Sequence, residues 1–140
     1  MSHTISFFSE DIDFELGSSS IYINWFSEAA SMENKTIGEL TFIFCTDEYL
    51  HKVNQEYLNH DTYTDIITFD YSSGDIIAGD VFISVDRVKE NAETFKCSFN
   101  SEISRVLIHG VLHLMGYKDK QDEEKQIMRS KEDFYLTLLP

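Results

Sequence analysis

The chain has 140 residues, 42% hydrophobic and 26% charged, a balance that suits a globular fold with its own core and excludes wholesale disorder. No apolar run approaches the roughly 20 residues of a membrane span, and Met1-Ser2-His3-Thr4 lacks the basic residues and apolar stretch of a secretion signal, so a cytoplasmic protein with no membrane partner is expected. The formal net charge of −14 argues against a polyanion-binding surface until it is divided along the chain: residues 1–86 carry two basic side chains against sixteen acidic, and residues 87–140 carry nine against nine.

Ile5 to Ser9 is a short β-favouring run and reads as a first strand. An acidic loop ending at Gly17 follows, and one of Ser18, Ser19 or Ser20 can cap a helix in which Ile21, Trp25 and Ala29 recur at i, i+4 and i+8. Glu39 to Cys45, rich in aromatic and β-branched residues, is a second strand. Thr46 caps a second helix that turns Tyr49, Leu50, Val53 and Tyr57 inward. Thr64 to Tyr71 is a third strand, Ser72-Ser73-Gly74-Asp75 has hairpin turn chemistry, and Ile77 to Ser84 is a fourth strand with Gly79 at a bulge or a close approach. Ser84 caps helix three, which faces Val85, Val88 and Ala92 inward.

Asn100 or Ser101 opens a fourth helix that runs to Met115, apolar nearly all round and therefore central. Gln121 to about Leu138 is a fifth, with Ile127, Phe134 and Leu138, and beside them Met128 and Tyr135, facing in. The one proline is Pro140 and no Gly/Ser linker divides the chain, so residues 1–140 read as a single domain. Strands mixed with helices without regular βαβ alternation indicate an α+β fold: a mixed sheet of about four strands with about five helices. Cys45 and Cys97 lack metal-ligand spacing and are expected to be buried, reduced thiols.

The chemistry concentrates in His109-Gly110-Val111-Leu112-His113-Leu114-Met115-Gly116-Tyr117-Lys118-Asp119. Histidines four apart share one helix face. Gly116 supplies the left-handed stop, and Asp119 follows closely enough to swing back toward them. A lone histidine in so apolar a helix is more often a hydrogen-bonded core residue. Two, with a glycine stop and a carboxylate three residues beyond it, are better explained as metal ligands: His109, His113 and Asp119, with a coordination position left open for water. The offset favours Asp119 over Asp122, because it occupies the third-histidine position of the metzincin skeleton H-x3-H-x2-G-x2-H. Zinc is the expected ion, and the hard carboxylate keeps manganese and other divalent cations in play. Gly110 stands where a zinc peptidase has its general-base glutamate, which disfavours a zincin-like metallopeptidase.

His109 to Tyr117 matches, position for position, the signature H-G-x-L-H-L-x-G-Y-D-H, and the chain resembles the YbeY-type endoribonucleases, the bacterial ribosomal-RNA maturation proteins. The resemblance extends to Leu50, Asn54 and Tyr57, to Thr64–Phe69 and Gly79–Ser84, and to Met128 and Glu132, which fall where the family has a Met and a Glu. It implies a zincin-like central helix and a metal-dependent, single-strand-specific endoribonuclease acting in 16S rRNA 3′-end maturation and ribosome quality control. It also implies a metal-activated water or a Lewis-acid metal at the phosphodiester. The implied partners are RNA (the 16S rRNA precursor) and the ribosome or its proteins, with no DNA expected. The family's third histidine ligand corresponds here to Asp119, and the aspartate before it to Lys118. The family arginine that contacts phosphate falls at Leu58, which removes a bidentate contact; His60 and Arg105 are candidate replacements, although Arg105 can equally pair with Glu102. Thr64 and Asp65 fall in a family site segment, but Thr-Asp at a strand entry is also ordinary turn chemistry. Besides the nuclease, a non-catalytic ribosome-associated factor with a structural metal fits the acidic surface and Leu58.

Overall fold

The computed structural model describes residues 4–58 and 64–140. Its strands are β1 (Thr4–Ser9), β2 (Thr36–Cys45), β3 (Ile66–Asp70) and β4 (Ile76–Ser84); its helices are α1 (Ser19–Met32), α2 (Asp47–Leu58), α3 (Val85–Thr94), α4 (Phe99–Leu114) and α5 (Asp122–Leu136). The sheet order is β1-β2-β4-β3. β1, β2 and β4 run parallel, and β3 pairs antiparallel with β4 through the hairpin turn expected at Ser72–Asp75. The fold is therefore α+β with a four-stranded mixed sheet and five helices, as the element pattern indicates.

Strand alternation decides the layers, because successive side chains point to opposite faces. Leu40, Phe42 and Phe44 of β2, with Ile77, Val81 and Ile83 of β4, face the main core. There they meet Tyr22, Trp25 and Phe26 of α1 and Ile103 to Leu114 of α4. The Phe26 and Phe42 rings stack 5.1 Å apart. The opposite face is covered by α2, whose Leu50 and Val53 pack with Cys45 and Ile67, joined by Tyr49, Phe69 and Phe82. The main core is the larger, so α4 lies along its middle, with α3 and α5 beside it.

Two glycines set how close α4 can come to the sheet. A Cβ on Gly79 would stand 2.4 Å from the Phe69 carbonyl oxygen and 2.9 Å from a Leu114 methyl, so the close approach expected at this position is real. A Cβ on Gly110 would stand 3.0 Å from Val81 and 3.1 Å from Ile66. Position 110 therefore faces β4 and β3, away from the histidine face.

Several expectations are corrected. Cys97 is exposed, since it follows the left-handed Lys96 in the turn after α3; Cys45 alone is buried. Burial first, and then the charges of Asp11, Asp86 and other nearby acids, push the Cys45 thiol up to about 12. α4 starts at Phe99, one or two residues earlier than expected, capped by Ser98, whose hydroxyl accepts from Ser101 N–H. Ser18 precedes α1 in a left-handed conformation and makes no side-chain cap. Ile21 and Tyr57 are exposed, as are Ile127 and Phe134. The buried stripe of α5 is Met128, Glu132 and Tyr135. That helix is turned by its polar anchors, which draw Glu132 and Tyr135 inward and carry Ile127 and Phe134 out.

Candidate metal centre

α4 delivers both histidines to one face, their rings edge to face with centroids 4.6 Å apart. The helix ends in a Schellman-type turn: Tyr117 N–H reaches back to the Leu112 carbonyl, with Gly116 at φ +104°. That turn has two consequences. It brings the Tyr117 carbonyl 2.9 Å from His113 Nδ1. It also sends the chain back across the histidines, so that Asp119 Oδ2 lies 3.2 Å from His109 Nε2 and 3.3 Å from His113 Nε2. The three residues predicted from the spacing thus converge, with donor atoms all within 4.8 Å of one another.

The other ring nitrogen of each histidine is occupied. His109 Nδ1 lies 2.6 Å from Glu132 Oε2, and the other Glu132 oxygen accepts from Arg105 Nη1 at 2.9 Å. A buried carboxylate wedged between a guanidinium and an imidazole accepts from both, so Nδ1 carries a proton and Nε2 is the nitrogen turned toward Asp119. The Tyr117 carbonyl, which can only accept, likewise holds a proton on Nδ1 of His113. The donor set fits a divalent cation. Two imidazole nitrogens and a carboxylate oxygen bonded tetrahedrally at about 2.0–2.1 Å lie roughly 3.3–3.4 Å apart, close to the 3.2 and 3.3 Å that Asp119 Oδ2 already holds to the two histidines.

Electrostatics favour positive charge at this point. Burial pulls the His109 pKa down, but the Glu132 hydrogen bond and the charges of Glu132, Asp119 and Asp65 outweigh it and hold it above the usual value. Burial pushes the Glu132 carboxyl up, yet His109 and Arg105 keep it below its ordinary range. Asp65 is raised by burial, and Glu102 by burial and then by Asp65.

The centre opens into a cleft of about 900 Å³ whose walls include Thr64, Asp65, Glu102, Arg105, Lys125 and Arg129. Arg105 lies in this wall, but its guanidinium is engaged by Glu132 and, at 2.8 Å, by Asp133; Glu102 is not its ion-pair partner. His60 lies outside the described residues. Leu58 is exposed at the end of α2 and offers the site no charge. Glu132 is the functional residue that spacing missed as an actor. The available signal was a carboxylate on the apolar stripe of α5, four residues after Met128 and three before Tyr135.

With this geometry in view, the comparisons with known proteins converge. A sequence model of the family described as Endoribonuclease YbeY matches residues 5–139. The chain belongs to the YbeY endoribonuclease family. It is 56% identical over 131 residues to the Endoribonuclease YbeY of Flavobacterium psychrophilum, covering 94% of both chains. It is 54% identical over 134 residues to that of Christiangramia forsetii, covering 96% of this chain and 93% of the relative. The solution structure of TM1509 from Thermotoga maritima superposes with a TM-score of 0.66 at 26% identity, covering 95% of this chain and 87% of that one. No helix among the described residues is long and apolar enough to cross a membrane. In this chain the carboxylate that closes on both histidines is Asp119, its Oδ2 3.2 Å from His109 Nε2 and 3.3 Å from His113 Nε2.

Proposed function

We propose that the chain is a zinc-dependent, single-strand-specific endoribonuclease of the cytoplasm that acts on the 3′ end of precursor 16S rRNA, in contact with the ribosome. The observation that carries the reading is the convergence of His109, His113 and Asp119 in the lining of an open cleft, each imidazole held through Nδ1 with Nε2 turned toward Asp119. Family membership supports RNA as the substrate.

His109, His113 and Asp119 would hold the cation, which when bound supplies an activated water and neutralises charge on the phosphodiester. Glu132 and the Tyr117 carbonyl keep the two imidazoles aimed. Arg105, held by Glu132 and Asp133, adds a fixed positive field to the cleft wall, while Lys125 and Arg129 stand exposed on α5 to attract phosphate. A peptidase reading has no support at position 110, because a glutamate there would be driven into Val81 and Ile66.

The test uses the purified chain with single-stranded and structured rRNA fragments and with casein, with and without chelator. RNA cleavage is expected to need metal and to vanish in His113→Ala and Asp119→Ala, both of which lose most of their bound metal. Wild-type metal content in either variant would remove that residue from the ligand set. Absence of any cleavage, with rRNA maturation still defective in a deletion strain, would replace the nuclease with a ribosome-associated binding factor.

A further inference from the structure

Ten large hydrophobic side chains are prominently exposed among the described residues, and single exposed hydrophobics are ordinary on a protein surface. One of the ten lines the cleft that holds His109, His113 and Asp119: Phe95, 62% exposed. It follows the last turn of α3, and its backbone is pinned on both sides. Phe95 N–H donates to the Asn91 carbonyl, and after the left-handed Lys96 the Cys97 N–H donates to the Ala92 carbonyl. The ring is thus presented from a fixed backbone, and only the rotamer freedom of its side chain remains to be lost when a ligand covers it. The same cleft carries Lys125 and Arg129, one turn apart on α5 and both exposed.

We propose that Phe95 is a stacking platform for an unpaired nucleobase of the RNA strand, a contact that rests on the ribonuclease reading and extends it to the choice of single strands. A planar apolar face combined with exposed cations in one cleft complements a chain in which planar bases alternate with phosphates. A duplex keeps its base faces covered by their neighbours, so the platform engages single strands and leaves helices alone.

The experiment compares metal-loaded wild type with Phe95→Ala, Phe95→Leu and Phe95→Tyr. Fluorescence anisotropy follows a labelled 2′-O-methyl single strand, the same strand in a duplex, and single strands with one abasic site walked along them. Because Phe95 is exposed, all four proteins are expected to unfold at the same temperature. Phe95→Ala should bind the single strand roughly five- to a hundredfold more weakly and the duplex as before, with Phe95→Tyr close to wild type. One abasic position should weaken wild type and cost Phe95→Ala nothing more. Wild-type affinity in Phe95→Ala overturns the proposal, as does wild-type affinity in Phe95→Leu, which keeps apolar bulk without an aromatic face. A casein-derived peptide that loses affinity for Phe95→Ala while RNA does not would also overturn it, in favour of a peptide ligand. Failure of wild type itself to bind any RNA is a separate result: it removes the ribonuclease reading, and the platform with it.

Discussion

Glu132 is where two demands on one carboxylate meet. Its oxygens accept separately from His109 and Arg105, so the negative charge that holds the imidazole through Nδ1 also satisfies a guanidinium. An amide cannot do both, since one of its two ends is a donor. In Glu132→Gln, either Arg105 or His109 faces an NH2 group. Metal affinity is expected to fall about 10- to 100-fold, the usual effect of removing a partner behind a ligand. Stability should fall by about 2 kcal/mol, the range of a charged hydrogen bond, because Arg105 loses Glu132 but keeps Asp133. Competition titration with a chromophoric chelator and urea denaturation measure the two. A variant with wild-type metal affinity would show that the Glu132 contact does not govern the histidine. The cluster was legible in the sequence because His109, His113 and Asp119 are tied by local helix and turn geometry. The role of Glu132 was not, because it depends on how α5, 23 residues further on, is rotated against α4.

At the scale of elements, α4 can lie this close to the sheet only because two Cβ atoms are missing from the contact, one from β4 at Gly79 and one from α4 itself at Gly110. Gly79 lies where β4 passes both the Phe69 carbonyl of β3 and the end of α4, and the neighbour at 2.4 Å is backbone that no rotamer change can move. Gly79→Ala must therefore spread β3 from β4 or lift Leu114, and is expected to cost about 3 kcal/mol. Urea denaturation should show a lower midpoint with an unchanged slope; an unshifted midpoint would mean that the strands yield freely there. The strands and helices themselves could be read from periodicity, and so could the close approach at Gly79. Rotation of the amphipathic helices could not. Ile21, Ile127 and Phe134 have the right spacing for an inward face but lie outside it. On α5 the decisive contacts are polar, Glu132 to α4 and Tyr135 and Lys131 to Glu33, and hydrophobic patterning carries no information about them.

Across the whole molecule, one carboxylate at the end of α1, in the acidic half of the chain, gathers three contacts from the half that carries the site. Glu33 accepts from the Tyr117 hydroxyl at 2.6 Å, from Lys131 at 3.0 Å and from the Tyr135 hydroxyl, and so binds α1, α5 and the turn behind His113 together. Burial pushes its pKa up, but the bonds from Tyr117, Tyr135 and Lys131 together outweigh burial and hold it below the ordinary value of 4.5. A carboxyl whose folded-state pKa is depressed contributes its full stability above the unfolded value. That contribution is lost as pH falls from there through the folded value, because the unfolded chain takes up the proton first. Glu33→Gln keeps the shape and removes the charge. It is expected to be about 2 kcal/mol less stable at pH 7, the range of a charged hydrogen bond, and to approach wild type as the solution is acidified below pH 4.5. Urea denaturation of both proteins across that interval isolates Glu33, since Glu132 and the other carboxylates titrate in each and cancel in the difference. Parallel curves, with the gap at pH 7 persisting in acid, would mean that Glu33 holds the three elements by shape and hydrogen bonding without its charge.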